Sequence, residues 1–380
     1  MAISSKRISF GHIEIGELGR KYLDDALDRN WISEGPNVRL FEEKFASEFS
    51  YRHAIAVSSG TDAGTIAHAA LLDLGAERGD EVITPALAFA STANCILAAG
   101  LKPVFVDAQL ETLNIDPHQI EAAITPKTRA IQVVHTMGKI CDMVAIMEIA
   151  KRNKLYVIED CCEAHGATMN GQVVGTFGDM ATFSFYAAHI ICSGEGGMIV
   201  TERDQMADLC KSIRTHGRRD GELHFDFDRV GFNSKMNDLE AAIGLEGLAK
   251  FRENFRWRRY LRLRLDETLS LLNEDIILYR ESPNEIMCPH AYAFVMRNSR
   301  ERMQNLAVHL DKHGIESKVL FGSLPTQHKA FEFLGHQESD FPNAERIGRS
   351  GIQIGIHQYL SEEDVDYMAE TIIAYFDGGA

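Results

Sequence analysis

Between residues 54 and 201 the chain alternates short apolar runs with amphipathic stretches, and this alternation constrains the fold more than any other feature. The runs are Ala54–Val57, Glu81–Thr84, Pro103–Asp107, Ala130–His135, Tyr156–Asp160, Thr182–Phe185 and Met198–Thr201. Each has strand length and is rich in Val, Ile, Thr or Phe, so each reads as a strand. The intervening stretches Thr61–Leu74 and Met143–Asn153 carry helical periodicity. Apolar strands separated by helices fold as a mostly parallel sheet covered on its faces. The expected class is α/β: a large domain with a mostly parallel mixed sheet flanked by helices, plus a smaller C-terminal α/β domain.

After residue 240 the texture changes. Asp238–Arg262 reads as one or two helices with a charged face, 286–296 and 315–320 as strands, and Ser361 to about Phe376 as a helix. Ser361 followed by Glu362, Glu363 and Asp364 is a strong helix start. The boundary is expected near 245, giving domains 1–245 and 246–380. A chain of 380 residues, 45% hydrophobic, is long enough for two cores.

The formal net charge of −16 argues against nucleic acid or an anionic membrane as partner. An anionic small substrate needs only local cations and stays open. The seven cysteines are odd in number and contain no C-x-x-C pair. Disulfides and zinc are therefore not expected, and a reducing cytoplasm fits. Only Cys210 and Cys288 lie beyond residue 200, too few for an iron–sulfur cluster in the later half. No metal is expected. The N-terminal residues are not followed by an apolar leader, and no run is long enough to span a bilayer.

In open α/β sheets ligands sit beyond the carboxyl ends of strands, and the candidate residues fall there. Ser59-Gly60-Thr61 joins a run to a helix, where free N–H groups favour a phosphate; an ordinary capped turn is the plainer reading. Ser184 ends a later run and can add a hydroxyl. Asp160 ends another, as a pyridinium partner or a helix cap. Phe89 is a stacking aromatic or a core residue. His216 and the arginines of Arg214–Arg219 read equally well as a sugar and pyrophosphate site or as a solvated loop.

The order of these motifs is more specific than any one of them. Trp31–Pro36, Ser59–Ala63, Gly79–Pro85, Lys102–Asp107, Thr112–Pro117, Ile158–Asp160, Phe183–Tyr186, Gly194–Gly197 and Gly231–Asn233 together resemble the DegT/DnrJ/EryC1/StrS family of nucleotide-sugar enzymes. That resemblance implies fold type I of the pyridoxal-phosphate (PLP) enzymes. It implies that Gly60, Thr61 and Ser184 hold the PLP phosphate, that Phe89 stacks on the ring, and that Asp160 faces its nitrogen. Glu163 falls where the family usually has glutamine or histidine near the ring hydroxyl. Asn233 would reach the cofactor of a neighbouring subunit, making the active unit a homodimer. Trp31, His216 and Arg218 are assigned to the substrate.

The departure from the family is His189. The third residue after Ser184-Phe185-Tyr186 is usually a lysine that tethers PLP as a Schiff base, which imidazole cannot form. The branch with histidine there resembles the C3-dehydratases of deoxysugar synthesis, and Gly355-Ile356-His357-Gln358 also resembles that branch. The implied reaction removes the C3 hydroxyl of a nucleotide-linked 4-keto-6-deoxy sugar, GDP-4-keto-6-deoxymannose in that branch. Glutamate would regenerate the amine cofactor PMP. His189, titrating near neutrality, would be the acid–base. The second reading is a nucleotide-sugar aminotransferase working without the lysine, or one whose lysine was replaced by design. A third is a non-catalytic relative, against which the retention of Thr61, Asp160, Ser184 and Asn233 argues.

Overall fold

The computed structural model describes residues 7–219, 226–297 and 300–378. Strands β1 (His53–Val57), β2 (Glu81–Pro85), β3 (Lys102–Val106), β4 (Thr128–Val134) and β5 (Tyr156–Asp160) come first. A short hairpin of β6 (Thr168–Met169) and β7 (Gln172–Val173) follows, then β8 (Met180–Ser184) and β9 (Gly197–Thr201). Seven of these form one sheet in the order β1-β9-β8-β5-β4-β2-β3. Strands β2, β3, β4, β5 and β8 run parallel, whereas β9 is antiparallel to both its neighbours. Every expected strand of this region forms.

Successive residues along these strands point into two different apolar layers, as the pleat requires. Ile83, Val157 and Ala181 pack with Phe41, Phe45, Ile146 and Leu245. Their neighbours Val82, Ile158 and Met180 pack with Ile66, Leu71 and Ile213. Helices Pro36–Phe49, Met143–Asn153 and Asp238–Ala249 therefore cover one face, and Gly60–Asp73 and Asp204–Arg214 the other. Burial on both faces is why these strands are nearly continuous in apolar residues.

The C-terminal sheet is antiparallel. It contains β10 (Ile276–Leu278), β12 (Ala291–Met296), β13 (Ser317–Val319) and β14 (Gly351–Gly355), in the order β10-β12-β14-β13. Helices Phe251–Thr268, Arg300–Lys312 and Glu362–Asp377 build its core, with Leu265, Leu306 and Met368 against Phe294 and Ile354. Ser361 and Asp364 form a reciprocal capping box at the last helix.

One expectation is corrected. Residues 286–296 are not one strand. β11 (Glu285–Ile286) pairs with β6 in a separate sheet, and β12 starts only at Ala291. Pro289 lies between them and cannot donate to a ladder. The helical stretch from Asp238 is two helices, Asp238–Ala249 and Phe251–Thr268. The first packs on Glu17–Asp28 and Pro36–Phe49, the second on Glu362–Asp377, so residue 245 falls inside the first. The N-terminal segment crosses over, with Ile8 bridging Ile315.

Candidate functional site

A cavity of about 410 Å³ opens at the carboxyl ends of β4, β5 and β8, where Val134, Asp160 and Ser184 line it. Gly60, Thr61, Phe89, Glu163 and His189 line it too. The C-terminal domain closes it with His290, Lys318, Phe321 and Gln353.

One end is built from small side chains and backbone. Ser59 is the N-cap of helix Gly60–Asp73, its Oγ accepting from the Asp62 amide at 3.0 Å. The first N–H groups of a helix have no partner within it, so this turn offers donors to an anion. A Cβ at Gly60 would meet Ser184 Cβ at 2.7 Å and Ser184 Oγ at 3.1 Å. A Cβ at Gly197 would lie 2.4 Å from the Ser59 carbonyl oxygen. Glycine is therefore required on both sides of this turn, and the Ser184 hydroxyl sits beside it.

Deeper in the cavity, Asp160 Oδ1 accepts from the Cys162 amide at 3.1 Å and Oδ2 contacts Thr92 Oγ1 at 3.5 Å. Burial pushes its pKa up, and hydrogen bonds from Cys162 partly offset this. No cation neutralises it among the described ion pairs, so it can accept a proton-bearing ligand nitrogen. Phe89 is 62% exposed and lies on the cavity, its ring 6.0 Å from Phe321. Exposure of that size on a cavity wall excludes the core reading.

The floor and the layer behind it hold a cluster of histidines drawn from three segments, of which His189 and His290 line the cavity. The His189 ring is 5.1 Å from that of His290 and 5.9 Å from that of His165. His189 is held by its own amide, which donates to the Tyr186 carbonyl at 2.9 Å, and its buried Nδ1 has no hydrogen-bond partner among the described residues. Burial, and then the charge of Arg258, lower its pKa to about 4. His165 and His290 are pushed well below the usual range, first by burial and then by the neighbouring His189. The expectation that His189 titrates near neutrality is thus corrected: desolvation keeps the ring neutral. Arg258 is itself buried, with Nε and one NH2 group donating to Gln358 Oε1 at 3.0 and 2.7 Å.

Glu163 stands beside this floor. Its Oε2 accepts from the Met137 amide at 2.7 Å, and its Oε1 is 3.5 Å from His290 Nε2. Burial raises its pKa to about 8 against the lowering effect of that one amide, so it is mainly the neutral acid at pH 7. The sequence reading gave His290 and His165 no role. His290 follows Pro289 at the break before β12, and only that break, visible as a proline inside an apolar run, hinted at a special position.

Four assigned residues lie outside the cavity of their own chain. Trp31 is exposed and its indole N–H donates to the Glu34 carbonyl at 2.9 Å. His216 is exposed, in the left-handed region at φ 62°, next to the Thr215–Asn233 bridge, while Arg218 bridges Phe227. Asn233 accepts from Lys235 Nζ at 2.9 Å. Two of the arginines considered for a pyrophosphate are already committed. Arg214 is buried against Glu34 and Glu42, both at 2.8 Å, and Arg219 pairs with Asp228 at 3.0 Å. Glu159, beside Asp160, accepts from the amides of Gly175, Phe177 and Gly178 and from His135, and so serves the fold.

The model of the DegT/DnrJ/EryC1/StrS aminotransferase family matches residues 14–373. The GDP-perosamine synthase of Escherichia coli O157:H7 is 36% identical over 358 residues, covering 94% of this chain and 95% of that protein. The dTDP-4-dehydro-2,6-dideoxy-D-glucose 3-dehydratase of Saccharopolyspora spinosa is 35% identical, covering 90% and 81%. Among solved structures, the putative sugar aminotransferase Spr1654 of Streptococcus pneumoniae in its PMP form superposes with a TM-score of 0.91 at 25% identity, over 98% of each chain. The chain belongs to the DegT/DnrJ/EryC1/StrS aminotransferase family.

Proposed function

We propose that this family member is a PLP/PMP-dependent dehydratase that removes the C3 hydroxyl of a nucleotide-linked 4-keto-6-deoxy sugar, with glutamate restoring PMP. The observation that carries this reading is His189: a half-buried imidazole on the cavity wall, its pKa lowered by desolvation, where the family resemblance expects a tethering lysine. The 3-dehydratase relative supports the reaction class. The GDP-perosamine synthase relative supports a GDP-linked sugar, in line with GDP-4-keto-6-deoxymannose.

The residues present fit the cofactor. The Gly60–Thr61 turn and the Ser184 hydroxyl form a cradle that any Cβ at Gly60 would fill, suited to the phosphate. Asp160 would hold a proton at the ring nitrogen, Phe89 would stack on the ring, and the Glu163 carboxyl would donate to the ring hydroxyl. When bound, the cofactor supplies an electron sink for the pair left when an adjacent carbon loses its proton. His189 takes that proton as a neutral base, because its pKa of about 4 leaves it uncharged at pH 7. The imidazolium so formed then delivers the proton to the departing C3 hydroxyl, returning His189 to its resting state. A primary amine at this position would recapture the cofactor; imidazole lets the unstable product leave and hydrolyse.

The active unit in this reading is a homodimer working in the cytoplasm. Asn233, His216 and Arg218 are close together and outside their own cavity, and they act in the cavity of the second copy, with Trp31 on the sugar. The second reading, a nucleotide-sugar aminotransferase, is favoured by the similarity to GDP-perosamine synthase.

One experiment separates them. The protein is incubated with PLP, glutamate and GDP-4-keto-6-deoxymannose, and the sugar is identified by mass. Loss of water with no nitrogen retained supports dehydration; a stable 4-amino sugar sinks it. His189→Lys should also create a visible absorbance from covalently held PLP, and an unchanged spectrum counts against the placement of His189.

A further inference from the structure

The cavity is acidic on the side of the large sheet, where Asp160, Glu163 and Glu195 line it. Among the described residues lining it, the single lysine or arginine is Lys318, on β13. No carboxylate pairs with Lys318 among the described ion pairs, although arginines and lysines elsewhere in this acidic chain are commonly paired. Its ammonium instead lies 4.2 Å from the centre of the Phe10 ring, another cavity residue. The Phe10 amide is tied to Glu316 Oε2 at 2.9 Å, which fixes the platform on which Lys318 rests. In the β13–β14 register Lys318 stands opposite Gln353, so both side chains project from one face of the sheet, and both reach the cavity.

A cation held this way at a cavity wall awaits an anion from the ligand. The cofactor phosphate has its own donors at Gly60, Thr61 and Ser184, on the other domain. A nucleotide pyrophosphate is poorly placed to be the partner. About 410 Å³ is at the small end for a ligand pocket, so the nucleotide must extend outside once the cofactor is in. The small anion that has to enter is a carboxylate of the amino donor. We propose that Lys318, with Gln353 beside it, is the carboxylate subsite that selects the amino-acid donor. The inference rests on the function proposed above for its use of glutamate.

The test uses PLP-loaded protein and glutarate, an unreactive dicarboxylate, in calorimetric titrations. Lys318→Met keeps the stem against Phe10 and removes the charge. It should weaken glutarate binding about 10- to 100-fold, the value of a charge-assisted hydrogen bond. The glutamate concentration for half-maximal conversion of PLP to PMP should rise in parallel. PLP affinity and the KM for the nucleotide sugar should not move, and Lys318→Arg should restore most of the glutarate affinity. Unchanged glutarate affinity in Lys318→Met overturns the proposal, as does a rise confined to the nucleotide-sugar KM. If glutamate fails to convert PLP in the wild-type protein while glutarate binding still depends on Lys318, the subsite stands and the proposed function falls.

Discussion

The two ends of the cavity are built in opposite ways. The end proposed for the phosphate is local: Ser59, Gly60 and Thr61 are consecutive, the donors they would offer are backbone, and Ser184 stands beside them from one neighbouring strand end. The histidine floor is assembled from distant pieces: His165 after β5, His189 in the loop after β8, and His290 before β12. The end proposed for the phosphate offers shape and helix-start N–H groups. The floor works through desolvation, which sets the charge of every group in it. Binding and chemistry are therefore separable in this site, one carried by backbone and the other by burial.

Substitutions that strike one end should leave the signature of the other intact. The largest effect is expected from His189→Asn. Loss of a positioned acid–base should slow turnover about a hundredfold to ten-thousandfold, while PLP still binds in an equilibrium titration. If PLP binding collapses as well, the two ends are not separable. Gly60→Val comes next. The new side chain must occupy the space beside Ser184, so PLP affinity should fall at least about tenfold, or 1.4 kcal/mol. The pH dependence of the remaining activity at saturating PLP should match the wild type.

The smallest effect concerns stability. His189 has its pKa lowered when folded, so its contribution is present above about pH 6.5 and is lost as pH falls toward about 4. Glu163 has its pKa raised to about 8. Its contribution is full below about pH 4.3 and is lost as pH rises through 8. Glu163→Gln should therefore flatten the alkaline decline in chemical-denaturation stability between pH 5 and 8, by about 1 kcal/mol per pH unit. An unaltered slope would mean that Glu163 is ionised in the folded protein.

The phosphate end was legible because its chemistry is written in adjacent residues: a glycine at a strand–helix junction can be seen without knowing what faces it. Asp160 and Ser184 were legible because parallel strands bring their carboxyl ends to one edge. The histidine floor was only partly legible. His189 stood out by replacing an expected lysine, but its neighbours His165 and His290 are separated from it by 24 and 101 positions and share no pattern with it. Its protonation was misjudged for the same reason, since a sequence carries no dielectric. The commitment of Arg214 to Glu34 and Glu42 was not legible, because those partners lie far away in sequence.

The sequence by itself determined the alternating large domain, the order of its motifs and the exchange of a tethering amine for an imidazole. These depend on periodicity and residue type, both of which are local. Only the tertiary structure decided that burial lowers the pKa of His189 and raises that of Glu163, and that Lys318 faces the cavity from the antiparallel sheet. Charge state and ligand geometry depend on which distant groups exclude water from one another, and the chain settles that only when its two sheets close around the same cavity.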